Sequence, residues 1–149
     1  MSLTVTKADV WVAQIEDKPG SLANLLGALA GAGADLECVI ARRDHSKAGK
    51  GVAFVTPVKG ANVRKVAKTE GLAPGEKLAT LKVEGDDAPG LGSRITSAIG
   101  DAGINLRGVS GAVIGRKFVV YLGFDGGADA TKAARVLKAL SSAKKPKKR

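Results

Sequence analysis

Asp17-Lys18-Pro19-Gly20-Ser21-Leu22 opens a stretch that runs through a helical pattern to Ala32-Gly33-Ala34-Asp35-Leu36. Seventy residues on, Asp87-Ala88-Pro89-Gly90-Leu91-Gly92 opens a second, which runs to Ala102-Gly103-Ile104-Asn105-Leu106. The two align without a gap. Their identities are Asp17/Asp87, Pro19/Pro89, Gly20/Gly90, Ala28/Ala98, Ala32/Ala102, Gly33/Gly103 and Leu36/Leu106. Self-similarity at a fixed period decides the architecture before any single residue does. It divides the 149 residues into two units of about seventy. A unit that small buries only ~60% of its unfolded surface, so it gains by packing on a neighbour.

Outward from the first turn, Val10–Glu16 reads as a strand rich in β-branched and aromatic residues. Pro19 suits the first helical turn, where its missing N–H costs nothing. Leu22, Leu25, Leu26, Leu29 and Ala32 then share one helical face. Gly33 stands where a left-handed residue ends a helix. A strand over 36–42 follows, then a charged loop over 43–51 that predicts a hairpin with a floppy tip. The strand Val52–Thr56 and a helix over Ala61–Glu70 complete the unit. Gly71 stops that helix, and Pro74-Gly75 reads as a turn.

The second unit repeats the order. It has strands over 78–84, 105–114 and 117–124 and helices over 90–102 and 129–142. Leu91, Ile95, Ile99 and Ala102 face inward on the first helix. Ala130, Ala133, Ala134, Leu137 and Leu140 do so on the second. Each unit is β-α-β-β-α with room for a fourth strand. Residues 75–77 are placed to supply it in the first unit. Nothing after Ser142 can do so in the second. Leu3-Thr4-Val5-Thr6 is therefore expected to complete that second sheet. The sequential division is 1–74, 75–142 and a disordered basic tail over 143–149, which has no apolar side chain to bury.

Composition excludes several classes of function. Cys38 is the only cysteine, so an internal disulfide and a thiolate metal cluster are ruled out. His45 is the only histidine, which removes His-based metal sites and Ser-His-Asp triads within one chain. No cofactor and no metal site is expected. Neither a phosphate-binding G-x-x-x-x-G-K-[ST] nor a G-x-G-x-x-G after a strand is present. No apolar run approaches the ~20 residues that span a bilayer. The opening residues lack a signal-peptide core, so a cytoplasmic protein is expected. Net charge is +10, five of it in the tail.

The tandem β-α-β-β-α-β order, with Asp-x-Pro-Gly between first strand and first helix, resembles the ACT domain. So do the exits Gly-Ala-Asp-Leu and Gly-Ile-Asn-Leu. The resemblance covers roughly residues 9–140. It implies an α+β fold of two ferredoxin-like βαββαβ units, with antiparallel sheets and helices on one face. It also implies a regulatory module that binds a small molecule, most often an amino acid, where the first strand–helix loop meets a neighbouring module. Carried over by position, the lining is Asp17, Lys18, Pro19, Gly20, Ser21, Leu22 and Asp35. Its counterpart is Asp87, Ala88, Pro89, Gly90, Leu91 and Asn105.

The residues themselves fit that chemistry. A helix N-terminus presents unpaired N–H groups and a positive dipole end to a carboxylate. Glycine lets a ligand approach the backbone. Asp17 and Asp87 suit an ammonium group or a helix cap, and Asp35 and Asn105 are expected to return near the same end of the sheet. The same Asp-x-Pro-Gly is also good turn and capping chemistry with no ligand. Lys18 and Ser21 offer a zwitterion more than Ala88 and Leu91 do, which makes the first turn the preferred site. Asp35 adds negative charge where its repeat partner is Asn105.

Three functions follow. The leading one is a non-catalytic amino-acid sensor that acts through its own oligomeric state, a homodimer, or through a partner. A regulatory subunit of a separate biosynthetic enzyme is compatible with it. Nucleic-acid binding draws on the basic charge, but aromatics are only 3% and no sheet-surface aromatic motif appears. Catalysis ranks last, because no constellation offers a proton shuttle or nucleophile.

Overall fold

The computed structural model describes residues 2–75 and 79–142. In chain order the elements are β1 (Leu3–Ala8), β2 (Trp11–Glu16), α1 (Ser21–Gly31), β3 (Cys38–Arg43), β4 (Lys50–Thr56) and α2 (Ala61–Thr69). Then come β5 (Ala73–Pro74), β6 (Ala79–Asp86), α3 (Leu91–Asp101), β7 (Gly108–Ile114), β8 (Lys117–Phe124) and α4 (Gly127–Ser142). The strands form two four-stranded sheets, in the orders β3-β4-β2-β5 and β1-β6-β8-β7. All their pairings are antiparallel. The α+β class with two ferredoxin-like units is what the repeat predicts.

The unit Asp9–Gly75 has its core between one face of its sheet and two helices. Trp11, Ala13, Ala53 and Val55 come from the strands, and Leu25, Leu29, Val63 and Ala67 from the helices. Leu22, Leu26 and Ala32 flank them, so the predicted α1 face is the buried one. Gly33 takes φ +94, and Ala34 N–H donates to Leu29 O at 3.0 Å, which closes the helix end. The fourth strand is only Ala73–Pro74, paired with Trp11 and Val12. Pro74 is therefore an edge-strand residue rather than a turn, a place where proline's missing N–H does no harm. Residues 76 and 77, expected to extend this strand, lie outside the described residues.

The other unit gathers β1 with the chain from Ala79 on. Val5 lies opposite Val83, and Leu3 opposite Gly85. The chain's first strand thus fills the fourth position of the second sheet, as the missing-strand argument expects. The sequential boundary, which put residues 1–74 together, differs here: Leu3–Ala8 belongs with β6. The reason is counting, since β6, β7 and β8 leave one edge open and α4 ends at Ser142. Ser141 ties the joint, with Leu3 N–H donating to its Oγ at 2.7 Å. Leu81, Val83, Val120, Leu122 and Phe124 pack with Leu91, Ile95, Ile99, Ala133 and Leu137 in this core. The basic tail over 143–149 lies outside the described residues.

The repeat reaches into small contacts. Asn62 Nδ2 donates to Ala32 O at 3.2 Å, and Lys132 Nζ to Ala102 O at 2.9 Å. These two donors are seventy positions apart, and each occupies a carbonyl at the end of its unit's first helix. The hairpin tip between β3 and β4 is tied rather than loose. Asp44 N–H donates to Lys50 O, and Asp44 Oδ1 accepts from Ser46 N–H at 2.9 Å and Oγ at 2.6 Å.

Candidate functional site

Both turns fold the same way. Gly20 (φ +88) and Gly90 (φ +80) take the left-handed conformation directly before α1 and α3. Any other residue there would place its Cβ against the following carbonyl. Ser21 N–H donates to Lys18 O at 3.3 Å, and Leu91 N–H to Ala88 O at 3.2 Å. Asn24 and Arg94 N–H groups take the carbonyls of Gly20 and Gly90. The N–H groups between, on Leu22 and Ala23 and on Gly92 and Ser93, have no acceptor among the described residues. Neither helix has a side-chain cap, and neither has an acidic residue in its first turn. Each end therefore keeps a pair of donors for an anion, backed by the positive end of the helix.

The strands that lead in are clamped alike. Lys50 Nζ donates to Glu16, and Lys117 Nζ to Asp86. The lysine's hydrogen bond, then its charge, holds each exposed carboxyl below its ordinary range. Asp17 N–H donates to Gly49 O at 3.0 Å, and Asp87 N–H to Arg116 O at 2.8 Å, so each turn is tied to its hairpin tip.

The next side chain differs. Arg43 Nε donates to Asp17 Oδ2 at 2.6 Å, whereas the Asp87 carboxylate has no hydrogen bond or ion pair among the described residues. A carboxylate that already holds a guanidinium offers less to a ligand's ammonium. Neither aspartate caps its helix. Arg43 is the residue that sequence reasoning missed. It ends β3 opposite Gly51, on the strand neighbouring Glu16's partner Lys50, a relation visible only once the register is known.

The expected lining does not all meet in one place. Pro19 and Pro89 are exposed within their turns, as is Lys18. Ser21 is half-buried, and so is Leu22, which packs against its core. Ala88 is also half-buried, but Leu91 is 2% exposed and belongs to the core. The next residue, Gly92, is open instead: an added Cβ there would meet nothing within 4 Å. Asp35 and Asn105 lie at the other end of their sheets. β2 and β3 run parallel on either side of β4, with Ile15 level with Arg43 and Trp11 level with Val39. The chain therefore leaves α1 at the Trp11 end, about 17 Å from the turn at ~3.3 Å per strand residue. The same register separates Asn105 from Asp87. This corrects the expectation that they return beside the turns.

Among the described residues, no three His, Cys, Asp or Glu side chains are grouped to hold a metal. No described helix is long and apolar enough to cross a membrane.

Against known proteins, residues 78–147 match the family model of the ACT domain. Comparison with curated protein sequences gives no match. Among solved structures, the chain is similar to a protein from Bacteroides thetaiotaomicron, with TM-score 0.75, 15% identity and coverage of 91% of this chain and 90% of that one. It is similar to the ligand-free regulatory subunit of aspartate kinase from Thermus thermophilus, at 0.63, 16% identity and coverage of 93% and 95%. The regulatory subunit from Thermus flavus gives 0.59, 20% identity and coverage of 94% and 97%. At these identities the likeness is one of fold.

Proposed function

We propose that this chain, whose residues 78–147 belong to the ACT domain family, is a non-catalytic cytoplasmic sensor of a free amino acid. The Asp87–Ser93 turn is the better of its two sites. One observation carries the choice: among the described residues, the second turn has unpaired donors at Gly92 and Ser93 and an Asp87 carboxylate with no cation on it. A ligand carboxylate would sit on those N–H groups and its ammonium on Asp87. The first turn, favoured by Lys18 and Ser21 in the sequence, is weakened by Arg43 on Asp17. Ligand specificity would come from a wall supplied by a neighbouring module, which makes a homodimer part of the reading.

Occupancy regulates only if the ligand binds two states unequally, by ~1–3 kcal/mol in typical cases. The regulated object is the chain's own assembly or a separate amino-acid biosynthetic enzyme. The second option is favoured by the whole-chain fold match to regulatory subunits of aspartate kinase. Nucleic-acid binding has no comparable support.

The test is thermal unfolding of the purified protein against each common amino acid at millimolar concentration. A ligand at about a hundred times its dissociation constant adds ~2.7 kcal/mol. At ~2–4 °C per kcal/mol, the melting temperature rises by several degrees. One amino acid or a related pair is expected to act, and Asp87→Asn to abolish the shift. No shift with any amino acid would overturn the reading.

A further inference from the structure

We infer that the outer face of α4, with the cations that follow it, binds the phosphate backbone of double-helical DNA without regard to sequence. This contact does not depend on the amino-acid reading, and the sheet faces have no part in it. Charge placement carries it. The last twenty residues hold eight cations and no acid, whereas the 129 before them hold sixteen and fourteen, so most of the net charge of +10 is here. Lys132, Arg135 and Lys138 are exposed along α4, and the other five follow Ser142. The repeat shows a built feature: Lys65 and Lys68, seventy positions before Arg135 and Lys138, are an exposed pair on α2.

Elsewhere cations are matched. Arg43, Lys50, Lys82 and Lys117 each hold a carboxylate. The side chains of Arg135 and Lys138 have no hydrogen bond or ion pair among the described residues, and Lys132 meets a neutral carbonyl, Ala102 O. Helix-dipole compensation does not account for them, because none lies in the last turn of α4. A surface built for solubility alone interleaves both signs.

The occupant follows from what surrounds these charges. The exposed large apolar side chains among the described residues, Val39, Val109, Val113 and Ile114, all lie on strands. A protein partner or a membrane would call for apolar anchors beside the charge. All five aromatic residues are on strands too, so α4 offers nothing for the unstacked bases of a single strand. A row of phosphates asks for charge alone. Arg135 and Lys138 stand ~4.5 Å apart along the helix, and a duplex presents one charge per ~1.7 Å of its axis, so the strip fits in any register.

The test is fluorescence anisotropy of a labelled DNA duplex, titrated with the full chain at several salt concentrations. Duplexes of unrelated sequence should bind alike, and affinity should fall roughly a thousand-fold or more between about 50 and 200 mM salt. Arg135→Gln with Lys138→Gln should make the log–log salt slope shallower by about 2, with an unchanged circular-dichroism spectrum. Changing the five cations after Ser142 to Gln should make it shallower by about 4 to 5 and leave weak binding at low salt. No duplex binding at low salt overturns the inference. So does binding that the five-fold change abolishes while the α4 variant matches wild type. Tighter binding to single-stranded DNA, or binding to phosphatidylserine vesicles in place of the duplex, overturns it as well. The two proposals fail separately: a chain that melts higher with an amino acid and ignores DNA keeps the sensor and removes this surface.

Discussion

Residues 43 and 113 hold the same place in the repeat, the last residue of β3 and the last but one of β7, the strands that follow the first helices. One is arginine and the other valine. The arginine pairs with Asp17 and charges the edge of its sheet. The valine leaves Asp87 without a cation among the described residues and the edge of its sheet apolar. Two units with the same topology thus differ where chemistry would happen, through one position outside the shared Asp-x-Pro-Gly. The helix starts, the clamping lysines and the capping donors Asn62 and Lys132 are held in common. The common features build the fold, and the differing ones distribute function.

If the units are equivalent in their cores, equivalent truncations should cost alike. Leu29 and Ile99 are seventy positions apart and both fully buried. Leu29→Ala and Ile99→Ala should each destabilise by about 2–5 kcal/mol in chemical denaturation. A cost confined to one of them would break the equivalence. The turns come next. Gly20→Ala and Gly90→Ala force a Cβ into the left-handed region and should each cost ~1–2 kcal/mol. Neither site has a neighbour for the new methyl to strike, so the loss is conformational rather than steric.

Most of the fold was legible from the repeat and from apolar spacing. α1 buries the face that Leu25 and Leu29 define, and the counting of strands placed Leu3–Thr6 in the second sheet. The candidate site was less so. Asp35 and Asn105, just past the first helix of each unit, were expected to return the chain near the turns' end of the sheet. Only the parallel relation of β2 and β3 shows them at the far end. Leu91 was carried over as lining because it aligns with Ser21, although its helical spacing already put it on the core side, where it lies; Gly92 is the open residue at that helix end. The Arg43–Asp17 pair was hidden because twenty-six residues and a strand register separate its partners.

Smaller effects sharpen the contrast at the turns. Arg43→Ala removes an exposed ion pair and should change stability by no more than about 1 kcal/mol. It should also free Asp17, so that the first turn gains amino-acid binding measurable by calorimetry. Unchanged binding would mean that Arg43 is not what distinguishes the turns. The smallest effect is a shared one. Glu16 and Asp86 have lowered folded pKa values, so their contribution is present at neutral pH and lost as pH falls through those values. Lys50→Gln with Lys117→Gln should lower stability slightly near pH 6. It should converge with wild type near pH 2, as read by denaturation at both.

The account turns on the inequality of the two turns. Its most direct test is calorimetric titration of the amino acid found by thermal unfolding, into wild type, Asp17→Asn and Asp87→Asn. The prediction is one site per chain, kept in Asp17→Asn and lost in Asp87→Asn. Two equal sites per chain, or a single site lost with Asp17→Asn, would contradict it.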